Sequence, residues 1–306
     1  MPDRQIAQTG AVQVNRILVA TDFSDASLNA LRYSAAIARY YAAKLYIVHV
    51  VASLGYKLAG PGADVLAAED ATRDLQQLWN KVAGNGERID VELIVRRGDV
   101  TAVLSDLIRE ERIDAIVIGT HGRTGFMKVA MGSVAEGIFR NSTCPVLIVG
   151  PNSSSDWPER ELGAEKAILI ALDSRDSSLG GLPYAASCAS RSHSKLVLLH
   201  VAEPVPATVP SIAGNRFTAG EKELGRAVRQ RLADFQTTDL SFESEVRVTY
   251  GLPVDDILAE AERTGAGLIV LGVQHKSLLV PAEHLHSTTA YRVVIDAKCP
   301  VLTVRS

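Results

Sequence analysis

The stretch AIVIGTHGRTGFMKVAMGSVAE, Ala115 to Glu136, decides the fold. Ala115 to Ile118 is a short apolar run of the length and character of a buried strand. Gly119 ends it, a glycine-rich loop follows, and Gly132-Ser133 opens an amphipathic helix. A strand, a glycine loop and a helix start in succession form an anion cradle. Glycines let backbone N–H groups come close, and the first turn of the helix supplies unpaired donors and a partial positive charge. The glycines stand at Gly119, Gly122 and Gly132 with Ser133 directly after, a G-x2-G-x9-G-S spacing. Each glycine alone is a plain turn residue; the full spacing is what points to phosphate. Ser133-Val-Ala-Glu136 also spells a capping box, which predicts Ser133 as the N-cap. Arg123 and Lys128 are placed to neutralise phosphate charge, with solvated loop charges as the plainer alternative, and His121 lies in the same loop.

Outward from this stretch, the chain repeats itself. Residues 17–22, ILVATD, return as ILIALD at 168–173, and LYIVHV at 45–50 returns as LVLLHV at 196–201. AIVIG at 115–119 returns as LIVLG at 268–272, and CPVLIV at 144–149 returns as CPVLTV at 299–304. Matches in the same order at nearly constant offset mark a duplication. The polar, proline-containing segment from Pro151 to about residue 165 reads as a linker between domains at 1–150 and 166–306.

Bulk composition narrows the class. With 306 residues, net charge -3 and 47% apolar residues, the chain has the size of two ordinary domains and no basic footprint for nucleic acid. No apolar run reaches the ~18 residues of a membrane span, and the polar start predicts no secretory leader. Cys144, Cys188 and Cys299 are dispersed and odd in number, which predicts a reducing, cytoplasmic setting rather than a disulfide framework. No CxxC or HExxH metal signature occurs.

In the first copy, the patterns predict a strand over 16–20, a helix over 27–41 with Ser24 as a candidate N-cap, and a strand over 44–51. A helix over 64–83 follows, with Leu75, Leu78, Trp79 and Val82 on one face. Next comes a half-buried edge strand over 89–96, whose Ile89, Val91, Leu93 and Val95 alternate. A helix over 101–111, the 115–119 strand, the helix from Ser133 and a strand over 146–149 complete the copy. The second copy repeats the plan, with a helix over 220–235. Strands alternating with helices predict a doubly wound parallel sheet, whose ligands lie beyond the strand carboxyl ends where strand order reverses. If the strands take the order 3-2-1-4-5, which sequence does not fix, that crevice lies between the first strand, ended by Asp22, and the fourth, ended by Gly119. Asp22 there is suited to accept from a ribose hydroxyl or an adenine amino group, or to cap the next helix. His49 and His200, late in the second strand of each copy, are expected to be packed and hydrogen-bonded.

With its repeat and its G-x2-G-x9-G-S spacing, the chain resembles the universal stress protein family over nearly its whole length. The resemblance implies two tandem Rossmann-like domains of the adenine nucleotide alpha-hydrolase-like type, each an α/β domain with a five-stranded parallel sheet. Their last strands would pair to give an intramolecular pseudo-dimer, with a homodimer of whole chains left open. It implies ATP, with Mg²⁺, in the first domain, with Asp22 on the nucleoside. Ala20, Thr21, Val50, Ile118 and Val134 would line the base and phosphates, and Gly119, Gly122, Arg123, Gly132 and Ser133 would surround the triphosphate. A protein partner of unidentified kind is expected to read the bound state; neither nucleic acid nor membrane is expected as a partner.

Dedicated catalysis is not expected. There is no Walker A sequence, no nucleophile elbow, and TDFSDAS at 21–27 stands where related adenylating enzymes carry SGGxDS. The alternatives are an ATP-independent interaction module and a slow ATP hydrolase. The second copy departs from the motif: His275 replaces the second glycine, Leu285-His286-Ser287 replaces the glycine-serine pair, and the spacing is one residue longer. Side chains there predict weak or no ATP binding. His275, His284 and His286 are a conceivable zinc set, but no cysteine or acidic pattern completes it.

Overall fold

The computed structural model describes residues 12–51, 63–83 (side chains from 68), 88–120, 131–153, 166–173, 179–202, 226, 230, 242–273 and 288–305. Contacts divide the chain into two compact units, one of Val14–Leu162 and one of Gly163–Ser306, which also takes in Val12 and Gln13.

The first unit runs β1 (Arg16–Ala20), α1 (Asp25–Tyr41), β2 (Lys44–Val51), α2 (Ala63–Ala83), β3 (Val91–Arg97), α3 (Val100–Glu110), β4 (Ala115–Gly119), α4 (Ser133–Asn141) and β5 (Val146–Val149). Its strands lie in the order β3-β2-β1-β4-β5, and every neighbouring pair is parallel. Ile17, Leu18 and Val19 of the central β1 are fully buried, as expected of a strand covered on both faces. Register sets Ala20 beside Val48 and Val19 beside Val117, so β1 and β4 end within a residue of each other while β2 runs three residues further, to Val51.

Helix α1 starts two residues before the predicted point. Ser24 takes extended backbone and its side chain accepts from the Ser27 N–H, so Asp25 is already helical. It ends at Ala42 in the left-handed region, φ 51°. On β3 the alternating set Val91, Leu93 and Val95 is only half-buried, and the buried residue is Ile94 on the opposite face. Both α2 and α3 pack on this edge strand, so alternation does not mark a single inner face. Gly98 follows at φ +136°, a conformation that side chains other than hydrogen rarely adopt.

The second unit runs β6 (Ile168–Leu172), α5 (Leu182–Ser192), β7 (Leu196–Ala202), β8 (Ser244–Tyr250), α6 (Pro253–Thr264), β9 (Leu268–Val273), α7 (Thr289–Asp296) and β10 (Val301–Arg305). The strand order is β8-β7-β6-β9-β10, again all parallel. Apart from Arg226 and Gln230, the helix predicted over 220–235 lies outside the described residues. No helix among the described residues is long and apolar enough to cross a membrane.

Candidate functional site

In the first unit, strand order reverses between β1 and β4, and a cavity of about 190 Å³ opens beyond their carboxyl ends. Ala20, Thr21 and Asp22 reach it from the end of β1, and Val50 from β2. Ile118 and Gly119 enter from β4, and Gly132, Ser133 and Val134 from the start of α4. The structure thus gathers nine of the predicted site residues around one space. Gly122 and Arg123, with His121 and Lys128, lie outside the described residues.

The start of α4 departs from the sequence expectation. Gly132, not Ser133, is the N-cap, with φ -63° and ψ 152°, and as a glycine it makes no side-chain cap bond. The reason lies in β4. The Thr120 carbonyl accepts from the Gly132 N–H at 2.7 Å, while the Thr120 N–H donates to the Val149 carbonyl at 3.2 Å. That staple fixes the chain so that Ser133 enters as the first helical residue, exposed, beyond reach of a capping role. Glu136 Oε1 pairs with Arg140 Nη1 at 3.4 Å. A helix start with glycine at its N-cap, opening on a cavity, presents backbone N–H groups and the positive end of the dipole to that space.

Gly119 carries a different duty from the one its motif suggests. A β-carbon there would meet the Ala26 carbonyl oxygen at 2.7 Å and its carbonyl carbon at 2.8 Å. Its missing side chain lets α1 close down on the end of β4. Gly132, by contrast, has extended backbone that any residue adopts.

Across the cavity, the β1–α1 turn is tightly organised. Asp22 Oδ1 accepts from the Ser24 N–H at 3.1 Å and from Ser24 Oγ at 2.5 Å. Thr21 Oγ1, in a side chain that is almost fully buried, accepts from the Phe23 N–H at 3.1 Å and lies 3.0 Å from Ser27 Oγ. Between them Phe23 sits at φ 65°, a left-handed conformation that costs a bulky residue ~1–2 kcal/mol. Its ring packs on His49, with centroids 4.5 Å apart. His49 lines the cavity, and its Nδ1 is 2.8 Å from the Thr21 carbonyl. A carbonyl only accepts, so Nδ1 carries the proton. His200 repeats the contact in the second unit, 2.9 Å from the Leu172 carbonyl. Both histidines are therefore packed and bonded at a strand end, as expected.

Sequence reasoning missed Ser27, Val48, Val100, Thr120 and Ala135 as cavity-lining residues. Thr120 had a usable signal: it directly follows the strand whose end carries the motif.

The second unit differs where it matters. Leu172 stands in the place of Thr21, and α7 is capped by its own Thr288, whose Oγ1 accepts from the Tyr291 N–H at 3.3 Å. His275, His284 and His286 lie outside the described residues; among the described residues no group of three His, Cys, Asp or Glu could hold a metal.

A parallel α/β sheet whose strand order reverses beside a cavity at the strand carboxyl ends defines a doubly wound α/β domain. The universal stress protein family model matches residues 13–150 and again 165–305. The chain belongs to the universal stress protein family, as a member with two tandem domains. Universal stress protein MJ0531 of Methanocaldococcus jannaschii is 31% identical over 147 residues, covering 47% of this chain and 86% of the relative. A universal stress protein of Mycolicibacterium smegmatis is 28% identical over 297 residues, covering 94% of this chain and 96% of the relative. The crystal structure of a universal stress protein from Archaeoglobus fulgidus shares the fold, with a TM-score of 0.72 at 21% identity over 96% of this chain and 99% of that one.

Proposed function

We propose that the first unit binds ATP with Mg²⁺, and that the chain is a nucleotide-dependent module of the stress response, acting in the cytoplasm without dedicated catalysis. One observation supports this: the start of α4, whose N-cap is a glycine with no side chain to offer, opens on the same cavity as Asp22 at the β1/β4 switch point. The phosphates would lie against the N–H groups of Ser133, Val134 and Ala135, where the dipole stabilises an anion by ~0.3–2 kcal/mol. Gly122 and Arg123 would complete the cradle from the loop. Asp22 would accept from the sugar or base, with Ala20, Thr21, Val50 and Ile118 forming the wall behind it. Mg²⁺ would neutralise charge between the phosphates.

The second unit is proposed to bind ATP weakly or not at all. Its corresponding helix start is satisfied by Thr288, and its glycine-serine pair is replaced.

The experiment is to unfold freshly purified protein, identify any released nucleotide, and then titrate the stripped, refolded chain with Mg-ATP. One equivalent per chain supports this reading. No released nucleotide and no binding heat would overturn it and leave an ATP-independent interaction module. ATP turnover that survives purification and is lost in Asp22→Ala would overturn the non-catalytic part.

A further inference from the structure

The geometry points to Ser24 as a positioning residue that holds the Asp22 carboxylate in its ligand-facing orientation. The inference rests on the nucleotide reading and deepens it. Ser24 gives two donors to a single oxygen: its N–H reaches Asp22 Oδ1 at 3.1 Å and its hydroxyl at 2.5 Å. The hydroxyl has one proton, committed to Asp22, so toward Ser27 it acts only as acceptor, from the N–H at 3.3 Å. One side chain thus ties the carboxylate to the first turn of α1.

Two further features show that the arrangement is held rather than incidental. Phe23 adopts φ 65°, which turns the chain so that both Ser24 donors face the same oxygen. Strain of this kind persists only where the surroundings over-determine it. Here they do: the Phe23 N–H is held by Thr21 Oγ1, and its ring lies against His49, itself bonded to the Thr21 carbonyl. Bonds to Oδ1 from one side fix the carboxylate plane, and a fixed acceptor loses less freedom when a ligand hydroxyl or amino group arrives. The Asp22 contribution to affinity therefore depends on Ser24, which itself does not touch the ligand.

The test separates positioning from capping. Ser24→Gly removes the hydroxyl but keeps the N–H and a serviceable N-cap, since glycine is far better tolerated at that position than alanine. Ser24→Thr restores the hydroxyl. Each variant and the wild type are titrated with Mg-ATP and with inorganic tripolyphosphate, which engages the α4 start but has nothing to offer Asp22. The expected result is an ATP affinity about tenfold weaker in Ser24→Gly, as for one charge-assisted hydrogen bond. Tripolyphosphate affinity should be unchanged in that variant, and ATP affinity should return in Ser24→Thr. Unchanged ATP affinity in Ser24→Gly, or equal loss of both probes, would overturn the positioning role while leaving the nucleotide reading intact. Wild-type protein that binds neither probe would overturn both.

Discussion

Gly119 at the end of β4 lies against Ala26 in the first turn of α1 so closely that a β-carbon would stand 2.7 Å from the Ala26 carbonyl oxygen. The contact joins the two segments that frame the cavity, the β1–α1 turn and the β4 terminus. Backbone cannot yield as the tip of a flexible side chain can. Gly119→Ala is therefore expected to destabilise the first unit by ~1–3 kcal/mol through overpacking. A lowered urea midpoint with little change in slope would show it. A variant as stable as wild type would mean that α1 shifts freely, and that the site's geometry is softer than drawn here.

Gly132→Val should behave in the opposite way. The backbone at Gly132, φ -63° and ψ 152°, suits a β-branched residue. Unfolding should change by less than ~1 kcal/mol, as at a surface position. ATP affinity should fall steeply, because the added side chain stands at the cavity wall where the helix N–H groups are presented. Titration calorimetry beside a denaturation curve measures both.

The two helix starts make a matched pair. Thr288, the N-cap of α7, caps it through its hydroxyl, whereas the N-cap of α4 is Gly132, which has no side chain, and Ser133 is already the first helical residue. Thr288→Ala should cost ~0.5–2 kcal/mol, the usual loss of a cap. Ser133→Ala should cost far less in stability. Hydrogen exchange at the start of each helix reads each effect in its own unit. Equal effects in the two would contradict the difference in capping.

How far this was legible in the sequence can be judged residue by residue. The individual strands and the Ser24 cap follow from apolar runs and local side-chain chemistry, all short-range signals, whereas the strand order, and with it the convergence of Asp22 with Gly119, was implied by the family resemblance alone. The capping box at Ser133 misled because the N-cap position depends on the Gly132–Thr120 hydrogen bond, a contact made across a loop. Gly119 looked like a phosphate glycine, but its tightest constraint comes from Ala26, which lies 93 positions earlier (119 minus 26). Ile94 was missed because β3 receives helices on both faces, so period-two patterning does not identify the buried side. Long-range packing decides each of these cases, and no local pattern carries it.

Acid should weaken the second unit through Glu260. This carboxylate is 7% exposed and accepts from Arg263 Nε at 2.8 Å and Arg263 Nη2 at 2.6 Å, with Arg247 Nε 3.2 Å away. The Arg263 hydrogen bonds above all hold it below its ordinary value of 4.5. A carboxyl depressed in the folded state contributes stability that is fully present above the unfolded value and lost as pH falls through the folded one. The loss therefore falls below pH 4.5. Glu260→Gln should cost about 1 kcal/mol at neutral pH, because the charge is lost while an acceptor oxygen remains and water screens the half-exposed Arg263 guanidinium. Denaturation midpoints for variant and wild type should converge as pH drops through that window. Parallel curves would remove Glu260 as a source of the acid sensitivity.

The most direct test of the central claim is a crystal structure of the full chain grown in saturating Mg-ATP. The account predicts a triphosphate against the backbone N–H groups of Ser133 to Ala135, with its nucleoside hydrogen-bonded to Asp22, and no nucleotide at α7. A first-unit cleft without nucleotide at saturation, or nucleotide seated elsewhere on the chain, would contradict it.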